Sequence, residues 1–578
     1  MFFRKIAIIS GVIFLLVTAG YLYFRFGYLK TRNVKADQTK EKSFIDLRPS
    51  IIAKLQQLVY DASRGLYILT IHSIDPDLVH STLNMEGVSI HFDSLVYRQM
   101  EKADQLPDDL YTMNFQLLHM DAVGIGNLFH TNNISIGGIV LTDPLITVYH
   151  KKQRYNLIKR KENDSLPLYK RILGKMTSLA IGKLTIEKGT FIDFDAAHKS
   201  KRTEYRGLSV YMKDIRVDSA AEMDSNKIIF AKEVLIGLQN YVLPTSDTLY
   251  TFSMDSMRLS GEQHNIAAYN IIVKSRYSRP EFEKRILTRK QLLHLVFPKT
   301  VITGMNWDVF MHHRSIKAAE VHIYDGALHA YFDLSKKRKS TITLDNFPHQ
   351  MFMKVPFPVS IAKLVFHHLG ISYEEYHPDI HKTGKLTFDD INAQITHLST
   401  IPIEIIKYPF AEIKGTCLLL HQVPLSSTIR FDLSRARTGA FSADVSLEAM
   451  NKDLINPVAE DLGGAHINSG TLQSAVGHIE GNNLKTNGTI VIKYSDLNIT
   501  ALKKAVDGTG TIKKKKLISL IANTFLIKHS NPLPDREIRK SVFTLERDHH
   551  SNFFNFVWVS FLSGILKTIG IPVKMVIK

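Results

Sequence analysis

The side chains best suited to chemistry crowd into one stretch. His367, His368, Glu374, Glu375, His377 and His381 are imidazole and carboxylate donors of the kind that hold a divalent metal. Their spacing does not suit one. No pair has the H-E-x-x-H interval that puts two imidazoles on one helix face. In a strand, neighbours such as His367 and His368 point to opposite faces, so solvated or hairpin histidines are the better reading, as for His312-His313. Asp389-Asp390 is a carboxylate pair in sequence, but neighbours on a strand diverge, which leaves two-carboxylate hydrolysis without a geometry. The stretch from Gly508 to Lys513 lacks the spacing of a phosphate-binding loop, and no G-x-S-x-G is present. The single cysteine, Cys417, lies in an apolar strand. These residues predict no catalytic side chain, no metal, no cofactor and no enzyme.

The elements that would carry such residues are strands. Leu184, Ile186 and Phe191, and Val321, Ile323 and Leu328, alternate with Thr, Glu, Lys, His or Tyr. This is the period of two expected of half-buried strands. A pattern of apolar-x-apolar-x-x-Gly-x-apolar recurs at Leu184 to Phe191, Val321 to Leu328 and Ala465 to Leu472, the last including Ile467. It reads as a hairpin whose glycine supplies a tight turn. The strands also repeat. At a shift of about 183 positions, Leu66-Tyr67 meets Leu249-Tyr250, and Val88 and Ile90 meet Ile271 and Val273. At about 182, Ile139, Leu141, Asp143 and Ile146 meet Val321, Ile323, Asp325 and Leu328, and Leu208 and Val210 fall back to Ile391 and Ala393 at about 183. Such periodicity is the mark of repeated architecture. The fold class predicted is mainly β: an elongated antiparallel sheet built from a duplicated module of about 180 residues, whose apolar face must be hidden either over a packed core or by folding into an open groove.

The domains follow from this pattern. Residues 1–30 form a membrane anchor, and 31–65 a linker with a capping helix from Pro49 to Arg64. The two β modules are 66–238 and 239–400, a third β unit is 401–550, and 551–578 hold a C-terminal helix and tail. Gln239 to Asp247 reads as a connecting turn, Glu281 to Leu295 as a short helix on the sheet, and Thr438-Gly439, Gly463-Gly464 and Asn487-Gly488 as turns. The anchor rests on Ile6 to Phe24, which carries no charge and would span about 28 Å as a helix. Ile13, Phe14, Leu15 and Leu16 lie at its centre. The competing reading is a cleaved signal peptide ending near Val17-Thr18-Ala19. A net charge of +18 over 578 residues favours anionic partners, but no zinc-finger, RNP or helix-turn-helix pattern supports nucleic acid, and a lone cysteine permits no intrachain disulfide.

At the other end, Asn552 to Ile569 has the spacing of an amphipathic helix. Asn552, Asn555, Ser560, Ser563 and Lys567 gather on one arc, while Phe553, Phe554, Trp558, Phe561 and their neighbours fill most of the rest. Either an interfacial membrane helix or a helix docked on the sheet buries that apolar face. The lysine run at 513–516 reads as a solvated turn, with anionic lipid as the sharper alternative.

Four stretches carry a family resemblance: GLYILTIHSI from Gly65, ISIGGIVLTDPLITVYH from Ile134, TGKLTFDDINAQITHLS from Thr383, and the segment from Leu462 to Ile499. With the N-terminal apolar run, they resemble the AsmA-like envelope proteins of Gram-negative bacteria. The resemblance covers most of the chain but consists of patterned strands and turns, without a catalytic signature. It implies an inner-membrane anchor, single-pass, with the main body in the periplasm. It also implies an apolar β-groove lined by Leu184, Ile186, Phe191, Val321, Ile323, Leu328, Ile467 and Leu472. Phospholipid is the implied ligand, and transport between the two membranes or outer-membrane homeostasis the implied role. The rivals are an envelope-assembly scaffold that meets outer-membrane components and carries no lipid, and a hydrolase of envelope polymers. Ile13 to Leu16 and Phe553, Phe554, Trp558 and Phe561 are the implied membrane contacts.

Overall fold

The structure, a computed structural model, describes residues 48–501 and 527–573 except 78, 124–132, 152, 154, 157–168, 171–176, 196–201, 225–226, 229, 246, 314, 339–343, 379–380 and 463–464. The membrane anchor read from Ile6 to Phe24, with Ile13, Phe14, Leu15 and Leu16, lies outside the described residues, as do the 513–516 lysines. Among the described residues, no helix is long and apolar enough to cross a membrane. Among the described residues, strands make up 57% and helices 19%, and most of the ladders are antiparallel. The chain divides into two compact units. One comprises Met1–Tyr241 and Met254–Ala267, the other Val242–Ser253 and Ala268–Lys578.

In the first unit, Tyr67–Thr70 and Ser73–Asp77 share the strand Thr82–Phe92, which pairs with Asp109–Val123. Two short strands, Asn133–Thr142 and Leu145–His150, lie end to end along Asp109–Val123, antiparallel to it. On their other side both run parallel to Ser178–Asp195. Arg202–Val217 and Glu233–Pro244 complete the series, again antiparallel. The break between the short strands has a local cause. Asp143 takes the left-handed φ of 49°, a conformation that Asp tolerates better than most residues. Pro144 follows it and has no N–H to give the ladder. The long strand absorbs the irregularity with a bulge, where Lys188 has φ 54°.

The second unit contains the same arrangement. Ile316–Tyr324 and Ala327–Asp333 lie end to end, antiparallel to Leu292–Thr303 and parallel to Val359–His377. Asp325 has φ 54°, and the long strand bulges at His368, φ 55°. The turn hydrogen bonds correspond one to one. Asp143 N–H donates to the Glu187 carbonyl and Asp325 N–H to that of His367, each at 2.9 Å. Thr190 N–H reaches the Pro144 carbonyl at 2.7 Å, and Gly370 N–H the Gly326 carbonyl at 2.8 Å. From Val359–His377 onward the unit is an antiparallel run: Lys382–Ser399, Phe410–Leu419, Val423–Asp432, Phe441–Leu447, Ala465–Gly481, Lys485–Ala501 and Lys540–Glu546.

Several expectations need correction. The sheet is not wholly antiparallel, because each unit contains a parallel seam. The recurrent glycine pattern is not one hairpin. Leu184 to Phe191 lies inside a single bulged strand, Val321 to Leu328 spans the break between two strands, and Ala465 to Leu472 is again within one strand. Gln239 to Asp247 is no turn up to Pro244, since the strand Glu233–Pro244 runs through it. The helix expected over Glu281 to Leu295 is Arg279–Arg285, begun by a Ser278/Glu281 capping box with Pro280, and Leu292 already belongs to a strand. Asn487-Gly488 lies inside Lys485–Ala501. A Cβ on Gly488 would come 2.6 Å from Phe543 and from Ile479, so the glycine makes room for packing and not for a turn. The turn at Thr438-Gly439 is present, with Gly439 at φ 69°. The helix expected from Pro49 to Arg64 is Arg48–Ala62, with Leu55 and Val59 buried. Lys452–Asp461, capped by Asn451, was not anticipated.

Candidate functional site

The pairing registers show which side chains stand abreast. In the second unit Ile302, Val321, Leu364, Ile395, Ile413, Ile429, Ala443 and Ile479 are consecutive cross-strand partners. An apolar residue on each of eight strands forms one unbroken row, since side chains abreast share a face. A shorter row in the first unit matches its beginning: Met120, Ile139, Leu184, Met212 and Val234. The two rows differ in burial. Every member of the first is 3% exposed or less. In the second, Ala443 and Ile479 are fully buried, whereas Leu364, Ile395, Ile413 and Ile429 are only half-buried.

The lining residues read from the sequence divide the same way. Leu184, Ile186 and Phe191 are sealed in the first unit, where Ile139 and Leu141 flank Leu184 and Ile186. Val321 lies on the second unit's row, Ile323 on the same face one row along beside Phe366, and both are buried. Leu328 is half-buried, between Leu295 and Ile371. Ile467 and Leu472 are half-buried beside the helix Lys452–Asp461, where Asn456 Oδ1 accepts the Ile467 N–H at 2.8 Å. Leu364, Ile395, Ile413 and Ile429 were missed, although the alternation that selected Val321 and Ile323 continues through their strands.

Two helices bound the half-exposed part of this face. Lys452–Asp461 places Leu454 and Ile455 against Leu386, Phe388, Leu419, Val423 and Met450. At the other end, the helix Phe553–Ile569 packs Phe553, Phe556, Phe561, Leu566 and Ile569 on Phe431, Phe441, Ile479, Ile490 and Phe543. Between them lies Cys417, whose thiol burial pushes up to about 11, so it is mostly protonated at neutral pH and a poor nucleophile.

The C-terminal helix does not present the faces expected of it. Ser560, Ser563 and Thr568, read as polar surface or left unassigned, are buried against the sheet. Their hydroxyls are satisfied there: Ser560 with Thr486 Oγ1 at 2.8 Å, Ser563 to the Ser560 carbonyl, and Thr568 to Ser541 Oγ at 2.8 Å. Small side chains let helix and sheet approach closely, which a larger residue there would prevent. The four aromatics assigned to membrane contact separate. Phe553 and Phe561 are core residues, while Phe554 and Trp558 are 70% and 51% exposed. With half-buried Leu562 and Ile565 they form an outward apolar stripe at helical spacing.

The opposite face of the second unit is largely polar, and a concavity borders it. It has a volume of about 760 Å³ and is lined by one complete abreast row, Val365, Gln394, Lys414, Thr428, Asp444, His478 and Thr489, by the row of Asn392, Thr416, Ser426 and Ser446, by His367 at the bulge, and by Phe366, Ala393 and Val445 from the alternate positions. His367 and His368 diverge: His367 meets His322 across the parallel seam, and His368 turns to Asp390 at 2.5 Å. Asp389 pairs instead with His421 at 2.9 Å, so the two carboxylates do not converge. Among the described residues, no group of three or more His, Cys, Asp or Glu side chains is gathered as a metal would require.

No protein-family model matches the chain, and a search of curated proteins finds no match.

Proposed function

We propose that the chain is a membrane-anchored envelope protein of AsmA-like architecture that carries phospholipid acyl chains on the apolar face of its second unit. The observation that supports this most is the row from Leu364 to Ile429, continuous across four strands and only half-buried, on a face that the helices Lys452–Asp461 and Phe553–Ile569 cover elsewhere. Acyl chains need an apolar lining and no specific polar contact, and each methylene withdrawn from water contributes about 0.8 kcal/mol. The role proposed is transport between inner and outer membranes or outer-membrane homeostasis. The anchor is proposed to lie in the inner membrane, with the body in the periplasm and outer-membrane assembly components as further partners. The paired crossings at Asp143 and Asp325 support descent of both units from one module of about 180 residues. The sealed first row argues that its copy has become a packed core. A scaffold without lipid is the second reading, favoured by the outward stripe at Phe554 and Trp558.

Native mass spectrometry of the full chain, extracted with its membrane, tests the lipid. Ile429→Asp should leave the chain folded and reduce bound phospholipid. Ile139→Asp buries a charge among residues that offer it no partner and should unfold the first unit. A wild-type chain without lipid, or a folded Ile429→Asp chain with full lipid, would overturn the proposal in favour of the scaffold.

A further inference from the structure

The polar face carries an arrangement that lipid carriage does not use. His322 Nε2 is 2.8 Å from Glu320 Oε2, and His322 Nδ1 is 3.0 Å from His367 Nε2. The imidazole planes differ by only 16° and their centroids are 5.3 Å apart, so the rings meet edge to edge. These contacts fix the protons. A carboxylate only accepts, so His322 Nε2 carries a hydrogen and donates it to Glu320. In a neutral ring Nδ1 is then a lone pair, and His367 Nε2–H must be its donor. Tyr324 stacks on His367 at 4.6 Å and 7°, which holds that ring in plane.

We propose that Glu320, His322 and His367 form a proton relay that locks the parallel seam between Ile316–Tyr324 and Val359–His377 at neutral pH and loosens it in mild acid. The N–H···N bond exists only while at least one ring is neutral. A first proton leaves the bond possible, because the other ring still offers a lone pair; the contact with His322 holds the Glu320 carboxylate below the usual range. A second gives two facing N–H donors with no lone pair between them. The surroundings set where this happens. Lys363 stands opposite Glu320 on Val359–His377, Lys299 from Leu292–Thr303 lies over Tyr324, and His368 adjoins His367. Asp325 is the opposing charge, while Asp390 is engaged by His368 and Glu404 by Lys317. Burial and the cationic neighbours together hold His367 below the ordinary histidine value. The lock therefore holds at neutral pH and is lost as His367 protonates. The break at Asp325 leaves this seam between short strands, so loosening it moves the His367 edge of the polar concavity.

The full-length chain, labelled with ¹⁵N in its imidazoles and kept in detergent, tests this. At pH 7.5 both His322 and His367 should appear as the Nε2–H tautomer, with the His367 midpoint below that of a free imidazole. His322→Gln should move that midpoint upward. Hydrogen-exchange protection of Ile316–Tyr324 should fall from pH 7.5 to 5.5 in the wild type and stay level in His322→Gln. If that variant does not fold, Glu320→Gln, at a partly exposed position, should shift protonation of the pair to lower pH. Mixed tautomers, a His367 midpoint indifferent to both substitutions, or equal acid loss of protection in wild type and variant would overturn the proposal.

Discussion

His349 shows how one buried side chain sets a pH limit on the fold. It is 2% exposed, stacks on Phe431 at 4.7 Å, and neither ring nitrogen has a hydrogen-bond partner among the described residues. Burial pushes its pKa down to about 4, against a weak opposing pull from Asp432. The folded value is below the unfolded one, so the unfolded chain takes up the proton first as pH falls. Stability is retained above about pH 6.5 and is lost progressively down to about pH 4, by about 3 kcal/mol at most. His349→Phe keeps the stacked ring and removes the titration. Its stability should hold between pH 6.5 and 4, where denaturant midpoints show the wild type declining. Parallel decline of both proteins would show that His349 is not the group responsible.

At the scale of the element, the C-terminal helix yields two opposite expectations. Gly→Ala inside a helix ordinarily stabilises by about 0.5–1 kcal/mol. Here a Cβ on Gly564 would come 2.6 Å from the Phe543 ring and 2.7 Å from Ile490. Gly564→Ala should therefore destabilise, by about 1–3 kcal/mol, and lower the melting temperature; a rise would mean that the interface can yield. The outward face should behave differently. Phe554→Ser with Trp558→Ser removes exposed apolar area, so the melting temperature should hold while affinity for phospholipid vesicles falls about tenfold or more. Unchanged vesicle flotation would leave the stripe without a membrane role. The sequence misled on this helix for a physical reason: Ser560, Ser563 and Thr568 look like solvent-facing residues, yet each bonds a partner on a strand or a carbonyl of its own helix. Their small volume was the informative property, and polarity scales do not express it. Alternation within strands was legible, because Val321 and Ile323 share a face whatever they pair with. The parallel seams were not, because pairing Val321 with Leu364 depends on a crossover that leaves no local signal. For the same reason nothing in the sequence joined His322 to His367.

At the scale of the whole chain, the question is whether the two units are copies. Sequence identity is sparse, but the conformational demand is the same at Asp143 and Asp325. Both residues sit at left-handed φ, both donate their N–H across to the long parallel strand, and both precede a residue whose carbonyl accepts from that strand. The side chains around them have diverged: Pro144 stands where the second unit has Gly326, and the abreast rows are sealed in one unit and half-open in the other. A shared backbone with separate packing makes a quantitative claim possible. Replacing an aspartate at left-handed φ by alanine costs up to about 1 kcal/mol through the backbone alone, since Asp is several-fold enriched there. Asp143→Ala and Asp325→Ala should then destabilise their own units by similar amounts, despite the difference in burial around them. Hydrogen exchange read separately over Asn133–Thr142 and Ile316–Tyr324 measures each cost where it arises. A large loss in one unit with none in the other would mean that the crossings resemble each other only in outline. Equal losses would mean that the turn, and not the core built on it, is what the two units have kept in common.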